Sequence, residues 1–175
     1  MPKSLTDGHI KLAWLTERPV DPNRPTVAEL NAGIGGPKGI GDYVLLSDWT
    51  FGPTDSEVIN ERAVSDAGSA NAFGMGNYAA GMTVFRYFDA DTGKVDEVED
   101  LLFQTVKVKG TPAWAYMRET GQDESEAWTP ADELYFGAEV TTDSPQRPGE
   151  GGNIKRRVPL QVAKGYPNCE VAAGV

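Results

Sequence analysis

The sequence predicts a mainly β protein of the β-sandwich or barrel-like class, with one flanking α-helix and long loops. Of seven candidate strands, most carry β-branched or aromatic residues in period-two alternation, whereas only one segment carries a clear helical stripe of apolar residues. The unit at 41–89 places two long strands of mixed polarity around a connection rich in small residues. Such a unit is expected of a sheet that joins other copies rather than closing on itself.

The predicted strands alternate with irregular segments along the chain. They cover residues 10–15, 43–47, 56–63, 78–88, 112–119, 133–143 and 153–163. Proline and glycine predict an extended N-terminal arm or loop at about 16–42. Within it, Thr26 and Glu29 predict a capping box at the start of a two-turn helix that ends near Gly33.

One longer helix is predicted at about 95–107. Val95, Val98, Leu102 and Val106 form its apolar stripe. Acidic residues at 96–100 and the lysines at 107 and 109 complement the helix dipole, and Gly110 ends the helix. Gly-rich loops are predicted at 64–77 and 144–153, and a short C-terminal tail at 164–175. The chain, residues 1–175, is interpreted as one domain.

Composition limits the classes of function. The net charge of −10 and the pI near 4.5 argue against binding of nucleic acid through phosphates, which requires clustered lysine and arginine. Cys169 is the single cysteine, so no intramolecular disulfide and no thiolate zinc cluster is possible. The N-terminus has no apolar signal stretch and no segment is long enough to span a bilayer, so we expect a soluble protein made in the cytoplasm.

Two motifs resemble ligand sites but fail on their spacing. The segment 33–41 (GIGGPKGIG) lacks the Ser or Thr and the helix of a phosphate loop, and Lys38 replaces the last glycine of a dinucleotide fingerprint. In the segment 89–100, Lys94 stands where a calcium loop needs glycine, and a strand precedes it. We interpret the first as a linker and the second as a strand-to-helix turn.

No catalytic, cofactor or metal site is predicted. His9 is the only histidine, which removes the commonest general base. Cys169 is interpreted as an unreactive thiol, and Glu97, Glu99 and Asp100 as a solvated helix start. Paired acids and exposed tryptophans leave a carbohydrate-binding or carbohydrate-cleaving β-sandwich as an alternative, although tryptophan is more often core or interface; the tryptophans are Trp14, Trp49, Trp114 and Trp128.

Several short stretches, in order, resemble the major tail tube protein of long, non-contractile-tailed bacteriophages that infect actinobacteria. They are LNAGI at 30–34, SDWTFGPTDS at 47–56, GNY at 76–78, FRYF at 85–88 and VTTDSPQ at 140–146. The strongest stretch runs from 141 to 160, and the resemblance covers nearly all of residues 5–163.

The resemblance implies a β-sandwich subunit with a flanking helix that forms hexameric rings, stacked into a tube through which genomic DNA passes. It implies a structural virion protein of the tail, with no enzyme activity and no cofactor. The implied partners are other copies of the chain, the tape measure protein, the tail terminator and the distal tail protein, with no membrane. A tail adaptor or terminator remains a further alternative.

Two sets of residues are predicted to serve assembly. The loop from Val64 to Tyr78 is expected to become ordered on stacking against the next ring, with 145–152 as the alternative stacking loop. Its candidate residues are Ser65, Asp66, Gly68, Ser69, Asn71, Gly74 and Gly76. Acids at alternating strand positions are predicted to face the lumen and repel DNA; they are Glu57, Glu61, Glu133 and Glu139.

Overall fold

The computed structural model describes residues 5–65, 67–68, 72–149 and 151–174, and its regular structure consists mainly of antiparallel strands. The strands are β1 (Ile10–Leu15), β2 (Thr50–Thr54), β3 (Val58–Ile59), β4 (Ala72–Phe73), β5 (Asn77–Phe85), β6 (Pro112–Glu119), β7 (Glu133–Thr142) and β8 (Lys155–Glu170). Six of them form one sheet in the order β1-β6-β7-β8-β5-β2, and β3 pairs only with β4. The predicted mainly β fold is confirmed.

One face of the six-stranded sheet encloses the main core. Its alternate residues supply the core side chains, including Trp14, Met82, Ala115, Phe136 and Val158. Phe51 on β2 packs against Phe136 on β7 with ring centroids 4.8 Å apart, although these strands are not neighbours in the sheet. The sheet is therefore curved, with both of these strands facing a shared interior.

The segment 34–45 connects the free edge of β1 to β5. The backbone N–H of Ile40 donates to Leu12 O (3.0 Å), and the N–H of Leu45 donates to Thr83 O (2.9 Å). Because β1 and β5 lie at different positions in the sheet, these bonds bring its two sides together. The arrangement is barrel-like.

The helix α1 (Val27–Asn31) covers part of the opposite face of the sheet. Its predicted capping box is confirmed, since the Glu29 N–H donates to Thr26 Oγ1 (3.2 Å) and the Thr26 N–H donates to Glu29 Oε2 (2.8 Å). Leu30 is buried in a second apolar cluster with Leu15 on β1 and Tyr116 on β6. The Tyr116 hydroxyl donates to Pro22 O (2.7 Å), which fixes the irregular segment before the helix.

The longer helix, α2 (Leu101–Val106), begins six residues later than predicted. The Asp96 carboxylate accepts from the N–H groups of Val98 and Glu99, which makes a turn at 96–99 instead of a first helical turn. Asp100 is likewise used elsewhere, as an ion-pair partner of Arg86 (2.9 Å). The acids therefore shape the entry to α2, whose buried residues Leu102, Phe103 and Val106 contact the main core.

Two other predicted strands were wrong in their extent. Residues 43–47 make only one bridge, Val44 to Val84, because 3-10 turns at Gly41–Tyr43 and Leu46–Asp48 bend the chain. The strand at 56–63 is reduced to β3, because its pairing partner β4 is only two residues long and lies inside the predicted loop 64–77. These segments have the apolar alternation of strands but few neighbours with which to pair.

The last strand is longer than predicted. β8 continues to Glu170, so much of the predicted tail 164–175 pairs with the first half of β7. Gly165, Pro167 and Asn168 lowered the strand propensity of this stretch. The register shift between β7 and β8 lies just before it, where Glu139 pairs with Lys164 and Val140 pairs with Val162. Asn168 adopts φ +50°, a conformation in which asparagine is enriched.

Candidate assembly surfaces

A narrow arm formed by the chain between β2 and β5 is the first candidate surface. Its ladder continues past the β3–β4 pair, since the Gly74 N–H donates to Glu57 O (2.6 Å) and the Glu57 N–H donates to Met75 O (3.2 Å). At its base the Asn77 side-chain amide donates to Asp55 O (3.0 Å). The arm therefore has its own hydrogen-bonded framework, separate from the main sheet.

The arm exposes large apolar side chains. Phe73 is 84% exposed and Met75 is 78% exposed, and Val58, Ile59 and Val64 are exposed as well. Burial of a side chain of this size contributes about 1.5–3 kcal/mol relative to exposure. Apolar residues grouped on one exposed element are typical of a surface that binds a protein partner.

The residues predicted for ring stacking lie in the arm as far as the structure describes them. Ser65, Gly68, Gly74 and Gly76 belong to it, whereas Asp66, Ser69 and Asn71 lie outside the described residues. The sequence prediction emphasised small polar residues and overlooked the exposed Phe73 and Met75. The alternative loop at 145–152 lies elsewhere, where Gln146 pairs with Arg157 at the start of β8.

The outer face of β2, β5, β8 and part of β7 is the second candidate surface. No heavy atom outside the adjacent residues lies within 4 Å of the position that a Cβ of Gly81 would occupy, so this part of the face is uncovered. The strand pairing places several small or polar residues on the same face of the sheet as Gly81; they include Thr50, Ala79, Pro159, Gln161 and Thr141. We call this surface the uncovered face.

The four acids predicted for the lumen do not share one surface. Glu139 lies on β7, opposite Lys164 of β8, on the side of the sheet that includes the uncovered face. Glu57 and Glu61 belong to the arm, and Glu133 pairs with Glu170 at the far end of β7 and β8. The uncovered face also carries Arg157, so its charge is mixed.

A buried cationic cluster, which the sequence did not indicate, supports the opposite part of the sheet. Lys11 on β1 and Arg118 on β6 are buried and lie 5.2 and 5.1 Å from the centroid of the Trp128 ring. Arg118 pairs with Asp132 (3.0 Å) and donates to carbonyls of residues 123, 126 and 127. The cluster thereby fixes the loop 120–132 against the outer face of β1 and β6.

The pKa values in this cluster follow from burial and neighbouring charge. Burial lowers the pKa of Lys11, and the charge of Arg118 lowers it further. Burial acts to raise the pKa of Asp132, but hydrogen bonds from Thr129 and Arg118 outweigh it, so the Asp132 pKa lies below its ordinary value. The ion pair of Arg118 and Asp132 is therefore structural, and Lys11 lies next to it.

The described residues contain no group of three or more His, Cys, Asp or Glu side chains placed to hold a metal ion. Burial raises the pKa of the Cys169 thiol to about 11, which keeps it protonated at neutral pH. Three tryptophans, Trp14, Trp114 and Trp128, are buried, so they are not available to stack on a sugar. Within the same part of the chain, no helix is long and apolar enough to cross a membrane.

Comparison with known proteins identifies the family. The sequence family described as phage tail tube protein matches residues 1–175, the whole chain. A comparison with curated proteins gave no match. The chain belongs to the phage tail tube protein family.

Proposed function

We propose that this protein assembles into stacked rings that form the tail tube of a bacteriophage. Membership of the family makes it a structural component of the virion tail that assembles with its own copies. The observation that carries the stacked arrangement is the arm, which displays Phe73 and Met75 to solvent on a hydrogen-bonded framework. A neighbouring copy would bury these side chains.

The finer features of the tail are also part of the proposal. The rings are hexameric, and the tail is long and non-contractile, on a phage that infects actinobacteria. The subunit is made in the host cytoplasm and functions in the virion. Its further partners are the tape measure protein, the tail terminator and the distal tail protein, and genomic DNA passes through the tube without specific binding.

We assign the uncovered face to the bore of the tube. A wall that DNA passes without binding should lack clustered cations and large apolar side chains. Small and polar residues dominate the uncovered face, and its cations Lys155 and Arg157 lie at one end of it, where β8 begins. Of the four acids proposed for the lumen, Glu139 has the position that best fits this assignment, whereas the placement of Glu57, Glu61 and Glu133 depends on how the subunits meet.

The test of the arm uses electron microscopy of purified protein. Wild-type protein at high concentration should form rings and tubes. Replacing Phe73 and Met75 together with serine should leave the circular dichroism spectrum unchanged and abolish tubes, because the apolar contact between copies is removed. Deleting residues 66–75 should have the same effect. The matched control is Val20→Ser, since Val20 is exposed but lies outside the arm.

The outcomes separate the alternatives. Tubes of normal length from the Phe73 and Met75 variant would show that the arm is not the stacking element and would favour 145–152. Single rings without tubes from the wild-type protein would favour the adaptor or terminator. A wild-type chain that stays monomeric, even with preformed tail tips as initiator, would contradict tube formation.

A further inference from the structure

An acidic segment, residues 88–99, follows β5 at one end of the sheet. It contains five carboxylates and one lysine. Phe88 and Val95 pair across a short hairpin, and the Asp96 N–H donates to Tyr87 O (3.1 Å). Phe88 and Val95 are partly exposed, and Val98 is 78% exposed. The segment is therefore a hydrogen-bonded element with apolar side chains among acids.

A basic segment, residues 146–157, lies at the same end of the sheet. It contains Arg147, Lys155, Arg156 and Arg157 against the single acid Glu150. Arg157 and Gln146 exchange two backbone hydrogen bonds of 2.9 and 2.8 Å, which close the loop between β7 and β8. Ile154 is 53% exposed beside these cations. This segment also combines an exposed apolar side chain with a charged rim, but of opposite sign.

The two segments lie on opposite sides of β5. The basic segment continues into β8, where Lys155 pairs with Phe85 at the end of β5. The acidic segment is held on the other side, because the Tyr87 hydroxyl donates to Asp42 O (3.1 Å) and Leu45 pairs with Thr83. Among the described residues, neither Arg147 nor Arg157 forms an ion pair with the acidic segment of its own chain. The guanidinium groups of Arg147 and Arg157 are thus available to another molecule.

We propose that the acidic segment of one copy binds the basic segment of the adjacent copy in the same ring. This inference rests on the proposed tube function. A ring of identical subunits needs a heterologous interface, in which two different patches of the chain meet. The acidic and basic segments are two different patches of this kind. Their opposite charges supply specificity and faster association, and their apolar centres supply burial.

The test reverses the charges on each side and then on both. Asp91→Lys with Glu97→Lys converts the acidic segment, and Arg147→Glu with Arg157→Glu converts the basic one. Neither Asp91 nor Glu97 accepts the hydrogen bonds that shape the segment, which come to Asp89 and Asp96. Each double variant should raise the concentration needed for assembly at least about tenfold, because like charges then meet. The quadruple variant should restore it.

Three controls make the result specific. Glu17→Lys with Glu126→Lys changes the net charge by the same amount as the variant of the acidic segment, at exposed positions outside both segments, and should assemble as the wild type does. An equimolar mixture of the two double variants should form rings, because each supplies the complement of the other. Added salt should weaken wild-type assembly and rescue neither double variant fully.

The results distinguish this inference from the proposed function. Wild-type tubes together with normal assembly of both double variants would overturn the charge pairing and leave the tube function intact. Folded double variants that fail to assemble, without recovery in either the quadruple variant or the mixture, would also overturn it. A wild-type chain that never assembles would contradict the function and this inference together.

Discussion

Gly39 is a residue at which the backbone itself fixes the fold. It adopts φ +73°, and a Cβ placed there would lie 1.9 Å from the carbonyl oxygen of Leu12 on β1. That carbonyl accepts the hydrogen bond from Ile40, which helps to close the barrel-like sheet. Only glycine permits both the left-handed conformation and the close approach.

Substitution of Gly39 tests this contact. Gly39→Ala should lower the free energy of unfolding by about 3 kcal/mol or more, since backbone strain and a displaced hydrogen bond combine. The control is Gly110→Ala, which has φ +85° but no atom within 4 Å of the added Cβ. Gly110→Ala should lower the free energy of unfolding by only about 1–2 kcal/mol, which is the strain of a non-glycine residue in the left-handed backbone region. Equal losses for the two variants in urea unfolding would show that the contact with β1 is unimportant.

Asp132 provides a prediction about pH. Its folded-state pKa lies below the ordinary value of 3.8, so its contribution to stability is present above that pH and is lost as pH falls through the folded-state pKa. In the Asp132→Asn variant, the free energy of unfolding should therefore fall less steeply with decreasing pH below about pH 4. At neutral pH the variant should lose about 3 kcal/mol, because Arg118 is left buried without a counter-charge.

Chemical unfolding at a series of pH values measures both effects. Near-ultraviolet circular dichroism of the native variant should report whether the environment of Trp128 is kept. If the free energy of unfolding of the variant depended on acid pH as steeply as that of the wild type, a lowered pKa at Asp132 would be contradicted. A neutral-pH loss no larger than that of an exposed acid would show that the ion pair is not essential to the loop 120–132.

At the same scale, the sequence indicated some functions of single residues and not others. The capping pair Thr26 and Glu29 was predictable because its chemistry is local, over three residues. The cluster of Lys11, Arg118 and Trp128 was not, since Lys11 is more than a hundred residues from the other two and meets them only through the pairing of β1 and β6. The sequence signal for this cluster was Lys11, a lysine with an apolar neighbour on each side within a predicted strand.

At the scale of elements, strands with strong alternation were predicted well. β1 and β6 have the predicted bounds, because each has a complete partner strand along its length. β3 and α2 are shorter than predicted. Apolar periodicity reports which residues could be buried, whereas pairing partners and competing side-chain hydrogen bonds decide how far an element extends. Asp96 and Asp100 provide such competing bonds.

The attachment of α2 depends on Asp100. Its carboxylate is fully buried and accepts hydrogen bonds from Arg86 Nε, the Tyr87 N–H and Gln104 Nε2. The Arg86 guanidinium also lies 3.9 Å from the centroid of the Phe103 ring, on the helix. One carboxylate thus joins the end of β5 to α2, which closes the main core.

Asp100→Ala should lower the free energy of unfolding by about 3–5 kcal/mol, because it leaves Arg86 largely buried without its partner. The matched control is Glu170→Ala, which breaks the exposed pair with Arg24 and should cost less than about 1 kcal/mol. Hydrogen exchange should show faster exchange in α2 for the Asp100 variant and no change there for the control. Similar losses in the two variants would exclude a special function for Asp100.

At the scale of the whole molecule, the sequence indicated the family more readily than the positions of the assembly surfaces. The short stretches that resemble the family occur in order along the chain, so together they identify the family although each one is weak. A surface is different, because its residues come from several strands. Glu57 and Glu139 each occupy alternating positions, but only the topology places one in the arm and the other on β7.

The assignment of the uncovered face to the bore predicts a pattern of chemical labelling. Gln161 lies in the middle of this face on β8, and Val20 lies in the segment that covers the other part of the sheet. Gln161→Cys and Val20→Cys each introduce one reactive thiol, because the native Cys169 is buried and its pKa is raised to about 11. Free subunits of both variants should react with N-ethylmaleimide and with a bulky polyethylene-glycol maleimide. In tubes, the Gln161 variant should no longer react with the bulky reagent but should still react with N-ethylmaleimide, because only the small reagent passes along a narrow bore. The Val20 variant should react with both reagents. Bulky labelling of the Gln161 variant at the same rate before and after assembly would place this face on the outside of the tube.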